Sequence, residues 1–489
     1  MQNMTPLFPG FHIHTLRKKP RSERQILAEK HKLIKQKAFG QMGDCFKDII
    51  PKKLLSASKA GAHSRHRVFN KANTFWAFFL QTLDADGGCQ EVVRKVQASW
   101  SNQNKTTLSS STSAYCQART KLNADNLKMI LLHTSDRLQS MGNKAFHDRR
   151  VIVVDGTGIS MPDTIKNQSE WPQQSQQKPG CGFPQAALCA CFCLRSGALL
   201  SYELGSKKSS ELPMLRKQWD TFQEGDIFLG DKGFCSYFDV FKLQQKGVDS
   251  VITLARRVPV KDAEALKVLG DNDYLIHWKK PVKPSKASSY SIEEWEAMPE
   301  YLLLRQIKVV IRYPGFRSRS FYIVTTLQDS QKYTAKEIAD LYFQRWNVEL
   351  FFKDIKTTIG MDILRCKTPE MVKKEILMHL IVYNCIRYLM VKSKPNHDIG
   401  LRKMSFKAGV QALRQWEPYL SHSQTSDREL NNLITQLHEV IAGKKVLNRP
   451  GRSEPRAVKR RPKSYRLLTQ PRHEMIVESH RGRVSAKHP

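Results

Sequence analysis

Four residues late in the chain, Tyr342, Arg345, Glu349 and Lys356, combine a hydroxyl, two cations and a carboxylate at a spacing that helical winding brings together. At about 100° per residue they fall near 0°, −60°, −20° and −40°, one narrow polar face more than about three turns long. Leu341, Val348, Phe352 and Ile355 fall beside them, at about −80° to −140°, as an apolar stripe suited to packing on a sheet. The polar face would then run along the rim of that contact, open to a ligand. Two more acids, Asp155 after Val151-Ile152-Val153-Val154 and Asp231 after Ile227-Phe228-Leu229-Gly230, stand at the ends of predicted strands. A carboxylate there has an ordinary role in turns and caps, and Asp155-Gly156 alone reads as a turn. An i, i+4 ion pair on a solvated helix, worth only about 0.3–0.5 kcal/mol, accounts for Arg345 and Glu349 taken by themselves. It does not account for Tyr342 and Lys356 in the same register.

The charge of the chain says what such groups would meet. Lys and Arg number 80 against 45 Asp and Glu, a formal net charge of +35 over 489 residues, with 40% hydrophobic and 26% charged residues. That length calls for two to four structural units and excludes a lone small binding module. The excess charge is what a polyanion-binding protein needs to displace counterions from phosphates, so nucleic acid is the expected partner. A nucleotide is not: Gly225 to Lys232 reads G-x-x-x-x-G-D-K, and Asp231 interrupts the phosphate loop. There is no H-E-x-x-H, G-x-S-x-G or strand-borne G-x-G-x-x-G either. No stretch approaches the roughly 18 uninterrupted apolar residues of a membrane span, and Pro6, Pro9, His12 and His14 occupy the place of a secretory apolar segment. A soluble, intracellular protein with no membrane contact is expected. The 10 cysteines form no C-x-x-C pair. Cys189, Cys191 and Cys193 alternate at strand spacing and are expected on one face as small reduced core residues, not as metal ligands.

Those functional residues need elements to position them. Residues 1–140 read as mostly helical, with basic runs at Arg17-Lys18-Lys19 and His63-Ser64-Arg65-His66-Arg67 and an apolar run Phe75 to Leu80. The region suits DNA binding; a helical cap with a solvated basic face fits nearly as well. The pattern changes at Arg150. Strands are expected at Val151–Gly156, Ala187–Leu194 and Leu199–Leu204, the last two joined at Ser196-Gly197. A helix over Ser209–Phe222, a strand Ile227–Asp231, a helix Phe238–Gln245 and a strand Ser250–Leu254 follow, making a mixed α/β sheet. Residues 257–331 alternate Pro/Lys-rich linkers with strands Leu302–Arg312 and Ser320–Thr326, a β-rich insertion. Thr334-Ala335-Lys336-Glu337 is a capping box, after which helix runs to Gly360. Residues 396–489 read as a helical region and a basic tail; Lys444 to Pro489 holds 14 Lys/Arg against three Glu.

Tyr342-x-x-Arg345-x-x-x-Glu349-x-x-x-x-x-x-Lys356 resembles the Tyr-Arg-Glu-Lys signature of insertion-sequence transposases of the insertion-sequence-four type. Trp346 to Lys353, Val154-Asp155-Gly156-Thr157, Leu229 to Phe234 and Asn448 to Arg452 also look like that family, and the resemblance spans roughly residues 150 to 390. It implies a ribonuclease H-like catalytic domain, residues 145–256 and 332–395, interrupted by the insertion. It further implies an Asp-Asp-Glu triad, carried here by Asp155, Asp231 and Glu349. A phosphodiester bears its own charge, so three carboxylates can approach it only with divalent metal between, and hard oxygen ligands suit Mg²⁺, with Mn²⁺ as a substitute. Two ions about 3.5–4 Å apart would activate water or a 3′-hydroxyl and stabilise the leaving oxygen.

In similar transposases Tyr342, Arg345 and Lys356 would hold the cut DNA end. Phe321 or Tyr322 is a candidate for stacking on a flipped base, with core packing the more ordinary role. Arg65, Arg67 and Lys71 would suit phosphates of the terminal inverted repeats. Lys459-Arg460-Arg461 suits target DNA, a second protomer, or solubility alone. The whole reading is a cut-and-paste transposase acting on double-stranded element ends and target DNA, as a homodimer, in the bacterial cytoplasm at the nucleoid. The alternatives are a catalytically inactive or domesticated relative that only binds DNA, and a metal-dependent nuclease without strand transfer.

Overall fold

The computed structural model describes Ser22 and residues 42–57, 60–64, 67–101, 108–142, 144–206, 210–254, 265–282, 290–311, 319–393, 403–421, 426–446, 470–471 and 474. Arg65, Asn448 to Arg452 and Lys459-Arg460-Arg461 lie outside these described residues.

The first described part is helical, as expected: α1 (Met42–Cys45), α2 (Lys71–Leu83), α3 (Cys89–Ser101), α4 (Ser113–Thr120) and α5 (Ala124–Ser140). Asn70 and Asn123 cap α2 and α5 by accepting backbone N–H bonds that the first turn cannot otherwise satisfy. A large mixed sheet follows, built from β1 (Lys144–Phe146), β2 (Arg149–Ser160), β3 (Gln185–Cys193), β4 (Leu199–Ser206), β5 (Ile227–Gly230), β6 (Asp249–Thr253), β7 (Ala265–Gly270), β8 (Asp273–Lys279), β9 (Tyr301–Ile311) and β10 (Arg319–Thr325). Its order is β4-β3-β2-β5-β6-β10-β9-β8-β7, with β1 beside β2. β2, β5 and β6 pair in parallel, and every other pair is antiparallel. α6 (Ile165–Glu170) lies between β2 and β3; parallel neighbours need crossovers, and α7 (Glu211–Arg216) and α8 (Tyr237–Gln245) supply them.

Two expectations change here. The strand read as Val151–Gly156 is the middle of a longer one: β2 stays paired with β3 from Ile152↔Cys193 to Ser160↔Gln185, so Gly156 is strand and not turn. Pairing of β2 with β5 ends at Val153↔Leu229, because the chain leaves β5 through the short 3-10 turn Lys232–Phe234. Asp155 therefore sits where the parallel pair opens, and not at a strand end. Second, the helix expected over Ser209–Phe222 is only Glu211–Arg216, followed by a 3-10 turn at Trp219–Thr221. The strands of the insertion extend the same sheet, since β10 joins β6 through Ile323↔Thr253, Val324↔Ile252 and Thr325↔Val251. The β3–β4 hairpin falls where the sequence placed it, turning at Gly197 with φ of 68°.

Beyond α9 (Ile292–Glu296), the signature segment is not one uniform helix. α10 (Ala335–Phe343) opens on the expected capping box of Thr334 and Glu337, tightens to a 3-10 turn at Gln344–Trp346, resumes as α11 (Asn347–Lys353) and widens to a π turn at Asp354–Thr358. It stops at Gly360, whose φ is 79°. α12 (Pro369–Ser393) is buried on all sides and packs between the sheet, the amino-terminal helices and the carboxy-terminal pair α13 (Phe406–Leu420) and α14 (Asp427–Gly443). Its buried polar groups are spent on neighbours: Asn384 donates to Thr134 Oγ1 at 3.0 Å and accepts from the Leu199 amide at 2.9 Å, and the Tyr383 hydroxyl donates to Gly197 O at 2.6 Å. These bonds fix the hairpin end of the sheet to α5. Cys189, Cys191 and Cys193 are fully buried free thiols in β3, as their spacing predicted.

Candidate active site

β2 and β5 run side by side with Val151 opposite Ile227 and Val153 opposite Leu229, and Asp155 and Asp231 each lie two residues beyond that last pair. Each carboxylate is oriented by a backbone amide: Asp155 Oδ1 accepts from Gly156 N at 2.8 Å, and Asp231 Oδ1 accepts from Gly233 N at 2.7 Å. Above them lies the signature segment. Leu341, Val348, Phe352 and Ile355 are all buried, so the stripe read from the sequence does form the inner face, and α11 packs on β2.

That packing brings Arg345 down between two carboxylates. Its Nη1 lies 3.7 Å from Asp155 Oδ2 and its Nη2 lies 3.9 Å from Glu349 Oε1. Both are ion pairs too long to count as hydrogen bonds. The guanidinium stands 5.9 Å from the Tyr342 ring and 5.6 Å from the Trp346 ring, with its side chain only 11% exposed. Its Nε is buried with no hydrogen-bond partner. Glu349 is more open, at 48% side-chain exposure. Burial lifts the Asp155 carboxyl above its ordinary range; the Gly156 amide and Arg345 work against that rise, and the charges of Asp231 and Glu349 add to it. One carboxyl thus feels both other acids and the arginine at once.

The other two members of the helix face are placed differently. Tyr342 is buried, its hydroxyl 3.1 Å from Thr253 Oγ1 on β6 and its ring packed 5.5 Å from that of Phe321. Lys356, on the π turn, donates to Thr157 Oγ1 at 3.0 Å and to Gly158 O at 2.9 Å. These contacts tie the segment to β6 and β2. Phe321 also packs against Phe343, an ordinary packing role, and Tyr322 pairs through its backbone with Lys308. In the amino-terminal part, Arg67 is exposed, and Lys71 lines an open cavity with His63, Lys121 and Lys374.

The site has a neighbour that sequence reading missed. Glu211, the first residue of α7, reaches over Gly156: a Cβ at that glycine would stand 1.8 Å from Glu211 Oε1. Nothing in Ser209-Ser210-Glu211 distinguishes it from any acid opening a helix. Only the turn of the chain between β4 and β5 brings it here.

Hard oxygen donors on one rim, beside a buried guanidinium nitrogen that lacks an acceptor, fit a divalent cation and a phosphate in donor chemistry. As they stand, no three His, Cys, Asp or Glu side chains among the described residues are grouped closely enough to hold a metal ion. Arg345 supplies the positive charge between Asp155 and Glu349. No helix among the described residues is long and apolar enough to cross a membrane.

Comparison with known proteins bears on this arrangement. Residues 146–385 match the family model described as a transposase DDE domain. The transposase InsG for insertion sequence element IS4 of Escherichia coli (strain K12) is 25% identical over 364 residues, which is 72% of this chain and 77% of that protein. The transposase for insertion sequence element IS421 of Escherichia coli is 39% identical over 72 residues, 15% of this chain and 19% of that one. A cryo-EM structure of the piggyBac transposase synaptic complex with hairpin DNA aligns at a TM-score of 0.43 with 10% identity, over 85% of this chain and 87% of that chain.

Proposed function

Because the chain belongs to the DDE transposases of the insertion-sequence-four family, we propose that Asp155, Asp231 and Glu349 are the metal-binding carboxylates of a ribonuclease H-like catalytic domain that cuts and joins DNA. The observation that carries this reading is the convergence on Asp155: the charges of Asp231 and Glu349 act on its carboxyl, and Arg345 lies between it and Glu349. Two Mg²⁺ ions, or Mn²⁺ in their place, would when bound activate a water or 3′-hydroxyl and stabilise the leaving oxygen.

The protein's own groups do the rest. The Gly156 and Gly233 amides aim the two aspartates, and the packed stripe of α10 and α11 holds Glu349 over them. Arg345, with a free Nε and a planar fork, takes a phosphate oxygen of the cut end. Lys356 and Tyr342 hold that end or the helix that holds it. The amino-terminal part, residues 1–140, reads the terminal inverted repeats, with Arg67 and Lys71 on phosphates, and the basic carboxy-terminal region contacts target DNA or a second protomer. The working unit is a homodimer on double-stranded DNA in the bacterial cytoplasm, at the nucleoid, excising the element and joining it to target DNA.

The test is an assay on DNA carrying the flanking repeats, with Mg²⁺ against EDTA. The unsubstituted chain is expected to cut and join only with metal. Glu349→Gln is expected to retain affinity for the ends and to lose cleavage; full cleavage by that variant overturns the assignment. Cleavage without joining would leave a nuclease in place of a transposase.

A further inference from the structure

Resting on the reading that this chain binds DNA, we propose that two adjoining cavities, between the loop at His63 and the junction of α4 with α5, form a sequence-independent seat for the phosphates of a duplex backbone. Lys121 is its centre, with Lys71 on one side and Arg67 on the other. The first cavity, of about 560 Å³, is lined by Lys71, Lys121, Asn123, Asp125, Glu370 and Lys374. The second, of about 330 Å³, is lined by Ser64, Arg67, Gln117 and Lys121. Ala62, His63 and Lys121 belong to both, so the two are continuous and Lys121 stands where they meet. Arg67 and Lys121 are exposed, and Lys71 is half-buried.

The acids that line these cavities are already engaged by other cations. Asp125 Oδ1 is 3.3 Å from Lys128 Nζ, and Glu370 Oε1 is 2.5 Å from Lys374 Nζ, which also donates to Thr120 O at 2.7 Å. Asn123 Oδ1 accepts from the amides of Asp125 and Asn126, so the start of α5 is a capped wall and its first amides are spent. Among the described residues, Arg67, Lys71 and Lys121 pair with no acid. Lys71 is moreover the first residue of α2, the end of a helix where the backbone dipole disfavours a cation. Burial lowers the proton affinity of the His63 imidazole, and the charges of Lys121 and Lys71 lower it further against the opposing backbone of Ala118 and Phe69. Both lysines are thus close enough to act on the one ring between the cavities. Cations gathered without acids repel one another, and a phosphate brings the charge they lack. Two of the three are lysines, point charges that grip phosphate without reading a base, so the seat should serve any duplex equally.

The experiment measures binding of the full-length chain to two duplexes of equal length, one carrying the element end and one of unrelated sequence, by fluorescence anisotropy over a range of salt. The thermal midpoint of each protein is measured alongside. Lys121→Met and Lys71→Met are each expected to make the slope of log K against log salt shallower by about 0.9, and the double variant by about 1.8, on both duplexes alike. Midpoints are expected to be equal or higher, because a repelling charge is gone. Lys217→Met, which removes an exposed lysine paired with Glu203 on β4, is expected to leave the slope as it was. A slope that falls as far in Lys217→Met overturns the proposal, since net charge alone then explains it. A fall on the element end only makes the cavities a reader of sequence and overturns the backbone seat. Unchanged slopes with a lowered midpoint assign the lysines to the fold, and unchanged slopes with a midpoint raised by inorganic phosphate assign the cavities to a small anion; either overturns the proposal while the chain still binds DNA. An unsubstituted chain that binds neither duplex fails the reading of DNA binding itself.

Discussion

Two arginines attached to the same sheet are held in opposite ways. Arg305, on β9 in the half of the sheet that the insertion adds, is fully buried. It gives Nε to Asp273 Oδ1 at 2.8 Å, Nη2 to Asp273 Oδ2 at 2.5 Å, and Nη1 to Tyr333 O at 2.6 Å. Arg345, over the parallel half, is nearly as buried, yet it has only two long ion pairs and an Nε with no partner. A desolvated guanidinium is costly, and the first arginine offsets that cost with a bidentate pair and a carbonyl. The second offsets it only with two long ion pairs, to Asp155 and Glu349. Cations that hold a fold together spend their donors on the protein; Arg345 keeps its buried Nε without a partner.

The largest effect expected from this contrast is on stability. Arg305→Ala should cost about 3–5 kcal/mol, because it strands Asp273 as a buried uncompensated charge. Denaturant unfolding measures it, and a variant as stable as the parent breaks the comparison on its structural side. Lys356→Met comes next, at about 1.5–3 kcal/mol, since a charged donor is lost from Thr157 Oγ1 and Gly158 O. Tyr342→Phe should cost about 0.5–1.5 kcal/mol for its bond to Thr253. With that variant, cleavage retained in proportion to folded protein places Tyr342 with Arg305, as a residue spent on the fold. Cleavage lost at unchanged stability moves it to the side of Arg345.

The same contrast marks what could be read in advance. Short apolar runs bounded by turn residues predicted β3, β4, β5, β6, β9 and β10, because buried strands leave nearly continuous apolar runs in a sequence. Helical register placed Arg345 and Glu349 on one face, although the 3-10 and π turns on either side of α11 depart from a single winding. Register could not tell which polar groups were already taken. Tyr342 and Lys356 share the face with Arg345, and both bond to strands far away in the chain. Asp155 was misread as a strand end because Asp-Gly favours turns locally, whereas pairing with β3 overrides that preference through Ser160. Glu211 was invisible for a stronger reason: its partners, Gly156 and Gly233, are brought together only by the crossover between β4 and β5. α12 went unread because a helix buried on all sides shows little amphipathic period.

The smallest change in stability, and the most informative in function, belongs to Arg345→Ala. No hydrogen bond is lost there, so unfolding should shift by less than about 1 kcal/mol, as for ion pairs of poor geometry. Asp155 loses a cation that restrains its rise, so its carboxyl should hold its proton more tightly still. Binding to the element ends should weaken, and the slope of log K against log salt should become shallower by about 0.9 if one phosphate contact is removed. Arg345→Lys keeps the charge but not the planar fork, so it should restore the slope and leave cleavage impaired. Arg345→Ala with an unchanged slope and a stability loss equal to that of Arg305→Ala would make the two arginines the same kind of residue, and the idle Nε would then be a defect of packing with no ligand to receive.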